Sequence, residues 1–432
     1  MSLGIYLILT FGMMFIGVPV AISLGLPSII YLLINNIAVT TLIERMGTGM
    51  NSATLLCIPF FILAGEIMGK GGIAKRLIDL AKSVLGGVTG GLAYIAIICC
   101  AFFAAVTGSG IACCIAMGSI LIPDMMKSGY SRAFSTTVVT TGSILGPVIP
   151  PSISLVVYGS LTGASIANLY AEGIPAGIIM ALSMCLLIYF KCKRNRFNEF
   201  TQPETADKET ISSLKPAFLP SLYRSILAIG TPVIILGGIL GGIVTPMEAS
   251  VISVVYSLLV CMIVYREIRI KDLPRLIYDS VMSTAKIYLI IAAATIFAWI
   301  LTYENLPQTV MKLLLSLTDE RLVMLLIFNV VFLIMGMFME PSSMYVIAVP
   351  IFLPILKVMN IDLVYFGVVL SVNSAIGLIT PPFGTVLFSG SSVGKTPIHQ
   401  ILQQMWPFIL MQIFVLLLIT YVPGLITWMS FR

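Results

Sequence analysis

Residues 142–151 read GSILGPVIPP, and residues 373–382 read NSAIGLITPP. Each stretch has the form GxxxPP inside otherwise apolar sequence. Proline lacks an N–H and breaks the hydrogen-bond ladder of a helix. In hydrocarbon such a break is tolerated only where it is buried in protein or lines a cavity. One such break alone reads as a kink, whereas two at corresponding places read as paired sites.

The surrounding composition requires a membrane. Of the 432 residues, 59% are hydrophobic and only 10% charged, where a soluble domain carries about a quarter. Apolar runs recur, at 176–190, 233–244 and 408–422 among others, so the fold class is an all-α polytopic membrane protein. The apolar N-terminus has no charged leader and no small-residue cleavage site, and reads as a retained segment. The net charge of +6 is a loop bias that sets topology rather than a nucleic-acid surface. One His, His399, and no His/Cys/Asp cluster argue against a transition-metal site. The vicinal pairs Cys99-Cys100 and Cys113-Cys114 read as small packing residues.

The polar stretch at 191–216, KCKRNRFNEFTQPETADKETISSLKP, divides the chain. Its opening basic residues place it in the cytoplasm. The expected organisation is a first repeat at 1–190, a linker at 191–216 and a second repeat at 217–432. An offset of 231 carries Gly146 to Gly377, Pro150 to Pro381, Pro151 to Pro382, Gly159 to Gly390 and Pro123 to Pro354. Upstream, ILAGE at 62–66 meets ILTYE at 300–304, and PVAIS at 19–23 meets PMEAS at 246–250. The matches are collinear, as an internal repeat requires.

Each half has the same order of segments. An apolar stretch interrupted at Pro19 or Pro246 comes first, then a spanning helix expected at 47–68 or 283–303. An amphipathic helix follows, GIAKRLIDLAKSVL in the first half and the weaker PQTVMKLLLSL at 307–317 in the second. Two apolar segments too short for a full crossing then flank a polar tip. The tips are TGSG at 107–110 and EPSS at 340–343, and re-entrant hairpins fit them. The broken helix and a last spanning helix close each half. Placing every basic loop in the cytoplasm inverts the halves relative to each other. It also requires each half to cross about five times, with residues 3–34 forming two short crossings.

A break leaves carbonyls without partners, and carbonyls at the C-terminal end of a half-helix carry partial negative charge. With nearby hydroxyls they suit a bare monovalent cation, and substrate would lie between the two resulting sites. Thr136, Thr137 and Thr140 read first as packing hydroxyls. Glu66 and Glu304 read as structural. Glu340 is open between structure and function, and Lys286 is expected to reach the cytoplasmic interface. GSSVGKT at 390–396 is one residue short of a phosphate-binding loop and has no strand before it.

The GxxxPP pairs, the TGSG tip, the ILAGEIM-GKGG-IAKRL stretch and TPMEAS together resemble the large membrane subunit of TRAP (tripartite ATP-independent periplasmic) transporters, over essentially the whole chain. The resemblance implies an elevator-type carrier in a bacterial inner membrane, with Na⁺ as coupling ion and no other cofactor. It implies a substrate among C4-dicarboxylates, sialic acid and sugar acids. The implied partners are a small four-helix membrane subunit, expected as a separate chain, and a periplasmic substrate-binding protein. Candidate Na⁺ ligands are Gly108, Ser109, Gly146, Val148 and Pro150 in the first half, and Glu340, Ser342, Gly377, Thr380 and Pro382 in the second. Candidate substrate contacts are Thr107, Pro151, Ser152, Ser343, Asn373, Pro381 and Thr385. The second tip departs from the first, so roles do not transfer directly between halves. A proton-coupled carrier of the same fold, using Glu340 or Glu66, is the competing reading. No nucleophile–base pair suggests an enzyme.

Overall fold

The computed structural model describes residues 1–85, 90–193 and 218–430. Among these the regular structure is helical. The expected linker starts inside a helix that runs on to Lys193, and its remainder lies outside the described residues. Among the described residues seven helices are long and apolar enough to cross a membrane, and the bent pair at Cys57–Lys70 and Ile73–Leu85 is an eighth candidate.

The first half comprises α1 (Leu3–Phe15), α2 (Val20–Ile34), α3 (Thr40–Met50), α4 (Cys57–Lys70), α5 (Ile73–Leu85), α6 (Gly91–Thr107), α7 (Gly110–Lys127), α8 (Arg132–Ser143), α9 (Ile153–Thr162) and α10 (Ile166–Lys193). The second comprises α11 (Phe218–Leu240), α12 (Pro246–Leu258), α13 (Leu273–Tyr303), α14 (Leu306–Leu317), α15 (Arg321–Gly336), α16 (Pro341–Val358), α17 (Leu363–Gly377), α18 (Thr385–Gly394), α19 (Ile398–Tyr421) and α20 (Gly424–Thr427).

Local chemistry explains most boundaries. Ser131 and Asp362 cap the broken helices: Ser131 Oγ accepts from Phe134 N, and Asp362 accepts from two backbone N–H groups at 2.9 Å. Thr245 and Glu248 form a capping box with Pro246 at the first turn of α12. Between α4 and α5 the chain bends by 63° at Gly71-Gly72, and Gly72 takes φ +72°, which a side chain would resist.

Three expectations change: two helix bounds and the place of Lys286. The helix expected at 47–68 is two helices, because Gly47, Gly49 and Asn51 end α3 before α4 begins at Cys57. The helix expected at 283–303 begins at Leu273 and has 31 residues. Lys286 is therefore about 20 Å along α13 and cannot be placed near its start. Residues 3–34 form a helical hairpin whose ends are tied by the Met1 amine donating to Asn35 Oδ1 at 2.8 Å. Its helices, of 13 and 15 residues, are shorter than the roughly 30 Å of hydrocarbon in a bilayer.

The halves interlock through their broken helices. α9, which follows the first break, packs on α16 of the second hairpin; α18, which follows the second break, packs on α7 and α8. Gly390 and Gly394 make that second contact possible, since a Cβ on them would strike Thr140 and Thr136. Tyr158 of α9 donates to the Leu363 carbonyl at 2.7 Å and packs edge-on against Tyr345. The vicinal cysteines are buried in the same core, with Cys100 against Gly142. GSSVGKT forms the C-terminal turns of α18, whereas a phosphate loop must present a helix N-terminus.

Candidate functional site

The first tip is short. α6 ends at Thr107, Gly108 turns the chain at φ 61°, and Ser109 caps α7 by accepting from Ala112 N at 3.4 Å. The first break sits against this tip. A Cβ on Gly146 would lie 2.6 Å from the carbonyl carbon of Ser109, and one on Gly108 would strike the Pro151 carbonyl oxygen. A Cβ on Gly110 would lie 3.1 Å from the Ser143 oxygen, 3.2 Å from Val386 and 3.5 Å from Leu378. The first tip thus touches both breaks at once.

The break has two faces. Gly146 and Pro151 face the tip, whereas the Val148 carbonyl and the Pro150 ring face Gly173 of α10. Of the expected cation ligands here, Gly108, Ser109 and Gly146 are brought together, and Val148 and Pro150 turn toward α10. Ser152 donates to the Pro147 carbonyl within its own break. Ser371, from the other half, donates to the same carbonyl at 2.8 Å. The peptide bonds Pro150-Pro151 and Pro381-Pro382 are both cis.

The second tip differs in register. α15 ends at Gly336 and α16 starts at Pro341, so the turn is 337–340 rather than 340–343. The signal in EPSS was a helix start: Glu340 is the cap, Pro341 opens the first turn, and Ser342 and Ser343 follow within it. The residue facing Gly377 is Gly336 in place of Ser342; a Cβ on Gly377 would lie 2.7 Å from the Gly336 oxygen. Glu340 and Pro382 are exposed, Ser342 and Pro381 are half-buried, and Ser343 is buried. Glu66 lies 3.9 Å from Lys70, which also pairs with Asp279 at 2.8 Å, and Glu304 accepts from Tyr31. Both carboxylates are thus held in local contacts.

Several hydroxyls are already committed. Thr107 Oγ1 donates to Phe103 O at 3.1 Å and Thr380 Oγ1 to Ile376 O at 2.7 Å. Asn373 donates through Nδ2 to the Asn329 carbonyl at 2.8 Å. Among the buried oxygens without a hydrogen-bond partner, those of Thr140, Thr141, Asn373 and Thr385 lie within about six residues of a break, whereas those of Thr231, Thr284 and Tyr288 lie elsewhere. Unpartnered buried acceptors need an explanation, and a small cation or a polar ligand supplies one. Among the described residues no group of three His, Cys, Asp or Glu gathers to hold a metal. Oxygen donors of this kind suit a hard cation rather than a soft one.

Sequence reading did not find Ser371, Tyr345, Asn329 or Gly336. Tyr345 and Ser374 share a hydrogen bond at 2.9 Å, Ser374 donates to Ser371 O at 3.0 Å, and Ser371 reaches Pro147. This chain of bonds joins the second hairpin to the first break. The spacing of Ser371 and Ser374 ahead of Gly377 was visible in the sequence, but their partners lie in distant segments.

The sequence and fold both have known counterparts. The family described as "Tripartite ATP-independent periplasmic transporter, DctM component" matches residues 7–425. The chain is 38% identical to the C4-dicarboxylate TRAP transporter large permease protein DctM of Pseudomonas aeruginosa, over 93% of this chain and 92% of that one. It is 37% identical to the isethionate TRAP transporter permease protein DctMQ of Oleidesulfovibrio alaskensis, over 95% of this chain but only 63% of that longer protein. The fold resembles the crystal structure of the Alcanivorax borkumensis YdaH transporter, with a TM-score of 0.65 at 15% identity, covering 90% of this chain and 89% of that one. The chain belongs to the DctM family of TRAP transporter large permease subunits, as a multi-pass protein of the bacterial inner membrane.

Proposed function

We propose that this subunit imports an organic acid, driven by Na⁺, by moving its hairpins and broken helices as one body past a static remainder. The reading rests chiefly on the first tip lying against both breaks, with unpartnered buried oxygens beside them. Backbone carbonyls and hydroxyls at half-helix ends are the ligand chemistry of a dehydrated monovalent cation. The cross-packing of α9 on α16 and of α18 on α7 supports a single moving body. The two halves are proposed as inverted repeats, bounded as the sequence reading expects.

Two relatives carry the names of C4-dicarboxylate and isethionate permeases, both acidic organic anions. Sialic acid and sugar acids belong to the same chemical class. Delivery by a periplasmic binding protein and pairing with a small membrane subunit complete the proposal. Na⁺ ligands are proposed at Gly108, Ser109, Gly146, Glu340, Ser342, Gly377 and Thr380, and substrate contacts at Thr107, Pro151, Ser152, Ser343, Asn373, Pro381 and Thr385. The second reading, proton coupling, rests on Glu340, a carboxylate at the cap position of α16 in the second tip.

Uptake by proteoliposomes holding both membrane subunits, fed by the loaded binding protein, separates the two. Transport that requires an inward Na⁺ gradient supports the first reading. Transport that follows a pH gradient and ignores Na⁺ selects the second.

A further inference from the structure

A cleft of about 610 Å³ lies away from the tips and breaks, between α5, the first turns of α11 and the segment after α12. Its polar lining is Lys75, Arg76 and Arg224 with Asp79 and Glu267, a net positive set, beside Tyr223 and Tyr265. Its centre is built. Arg76 lies over the Tyr265 ring, 3.7 Å from its centroid. It also donates to the Gly72 carbonyl at 2.9 Å and pairs with Glu267 at 3.4 Å. Tyr265 is itself fixed, donating to the Arg224 carbonyl at 2.9 Å. It follows a π-helical turn at Leu259–Val264, an irregularity often found at functional sites.

With Arg76 held by three partners, Lys75 and Arg224 remain exposed beside it. Along the adjoining segment Arg266, Arg269, Lys271 and Arg275 outnumber Glu267 and Asp272. Apolar side chains run from the cleft along the helices: Ile226 is 56% exposed, Val264 56% and Ile263 63%. Positive charge at the mouth of a membrane cleft, continuous with an exposed apolar wall, matches one ligand chemistry. A phosphodiester headgroup would meet the cations while its acyl chains follow the wall. By the positive-inside rule this face is cytoplasmic.

We propose that the cleft is a binding site for an anionic phospholipid of the cytoplasmic leaflet. Lys75 and Arg224 contact the headgroup, and Arg76 is the fixed positive centre between them. Because α5 joins directly to α4 at the 63° bend, a lipid here would brace that bend.

Native mass spectrometry of the purified full chain tests the site, using phosphatidylglycerol, phosphatidylcholine and inorganic phosphate as probes. Phosphatidylglycerol should be retained in preference to phosphatidylcholine, and millimolar phosphate should not displace it. Lys75→Gln with Arg224→Gln should weaken retention by about fivefold per charge removed. Lys312→Gln, a basic residue on α14, should leave it unchanged. Lys75→Arg with Arg224→Lys should keep binding, which distinguishes loss of charge from loss of fold. Equal retention of the two lipids, or undiminished binding by the double Gln variant, would overturn the proposal. Displacement by phosphate would assign the cleft to a free anion and overturn the lipid source.

Discussion

Ser371 donates a hydrogen bond to the Pro147 carbonyl at 2.8 Å, across 224 residues of sequence. Pro147 lies in the first break and Ser371 within α17, six residues ahead of Gly377, so one bond joins the two halves of the chain close to both breaks. Replacing Ser371 by Ala leaves that buried carbonyl with Ser152 alone. Stability should fall by about 1–3 kcal/mol, read as a lower melting temperature of the purified chain. Ser371→Thr, which keeps the hydroxyl, should recover part of the loss. An unchanged melting temperature in the Ala variant would mean that the bond holds nothing.

Gly146 and Gly377 each lie against backbone rather than against a flexible side chain, at Ser109 and Gly336 respectively. Neither neighbour can move aside without shifting a hairpin tip. Gly146→Ala and Gly377→Ala should therefore each abolish uptake. Gly163→Ala is the comparison on the same fold, a position where a Cβ meets nothing within 4 Å but φ is +76°. It should cost only the modest strain of a left-handed residue, about 1 kcal/mol, and retain transport.

Gly390 meets Thr140, and here the neighbour is a side chain. Gly390→Ala alone should destabilise by about 1–3 kcal/mol through overpacking. Thr140→Ala removes the clashing hydroxyl, which has no hydrogen-bond partner. The double variant should be more stable than Gly390→Ala alone, a coupling that a double-mutant cycle measures directly. Additive effects would show that α8 and α18 separate readily.

The sequence was most informative where covalent geometry dictates structure. The GxxxPP pairs located both breaks, and Gly108 with Ser109 located the first tip, because proline, glycine and a capping hydroxyl act locally. The second tip was misplaced for a related reason. Glu340-Pro341 marks a helix start as strongly as it marks a turn, and the turn at 337–340 opens with Met337, Phe338 and Met339, which look like membrane helix. The helix at 47–68 failed on Gly47, Gly49 and Asn51, whose breaking tendency was outweighed by the apolar run around them. Lys286 was misplaced because α13 extends ten residues further back, to Leu273, through the charged residues Arg275 and Asp279. The partners of Ser371, Tyr345 and Asn329 were illegible in principle: each contact joins segments far apart in sequence, and nothing in either segment names the other.

The proposed cation sites where tips meet breaks are tested most directly by a Na⁺ titration of thermal unfolding. The purified full chain is heated at constant ionic strength, with Na⁺ replacing K⁺ or choline. A ligand that binds only the folded state raises stability by RT ln(1 + [L]/Kd). The melting temperature should rise with Na⁺ along a logarithmic curve, and Ser109→Ala should shift that curve to higher Na⁺. Equal melting temperatures in Na⁺, K⁺ and choline would contradict the claim that the two breaks form cation sites.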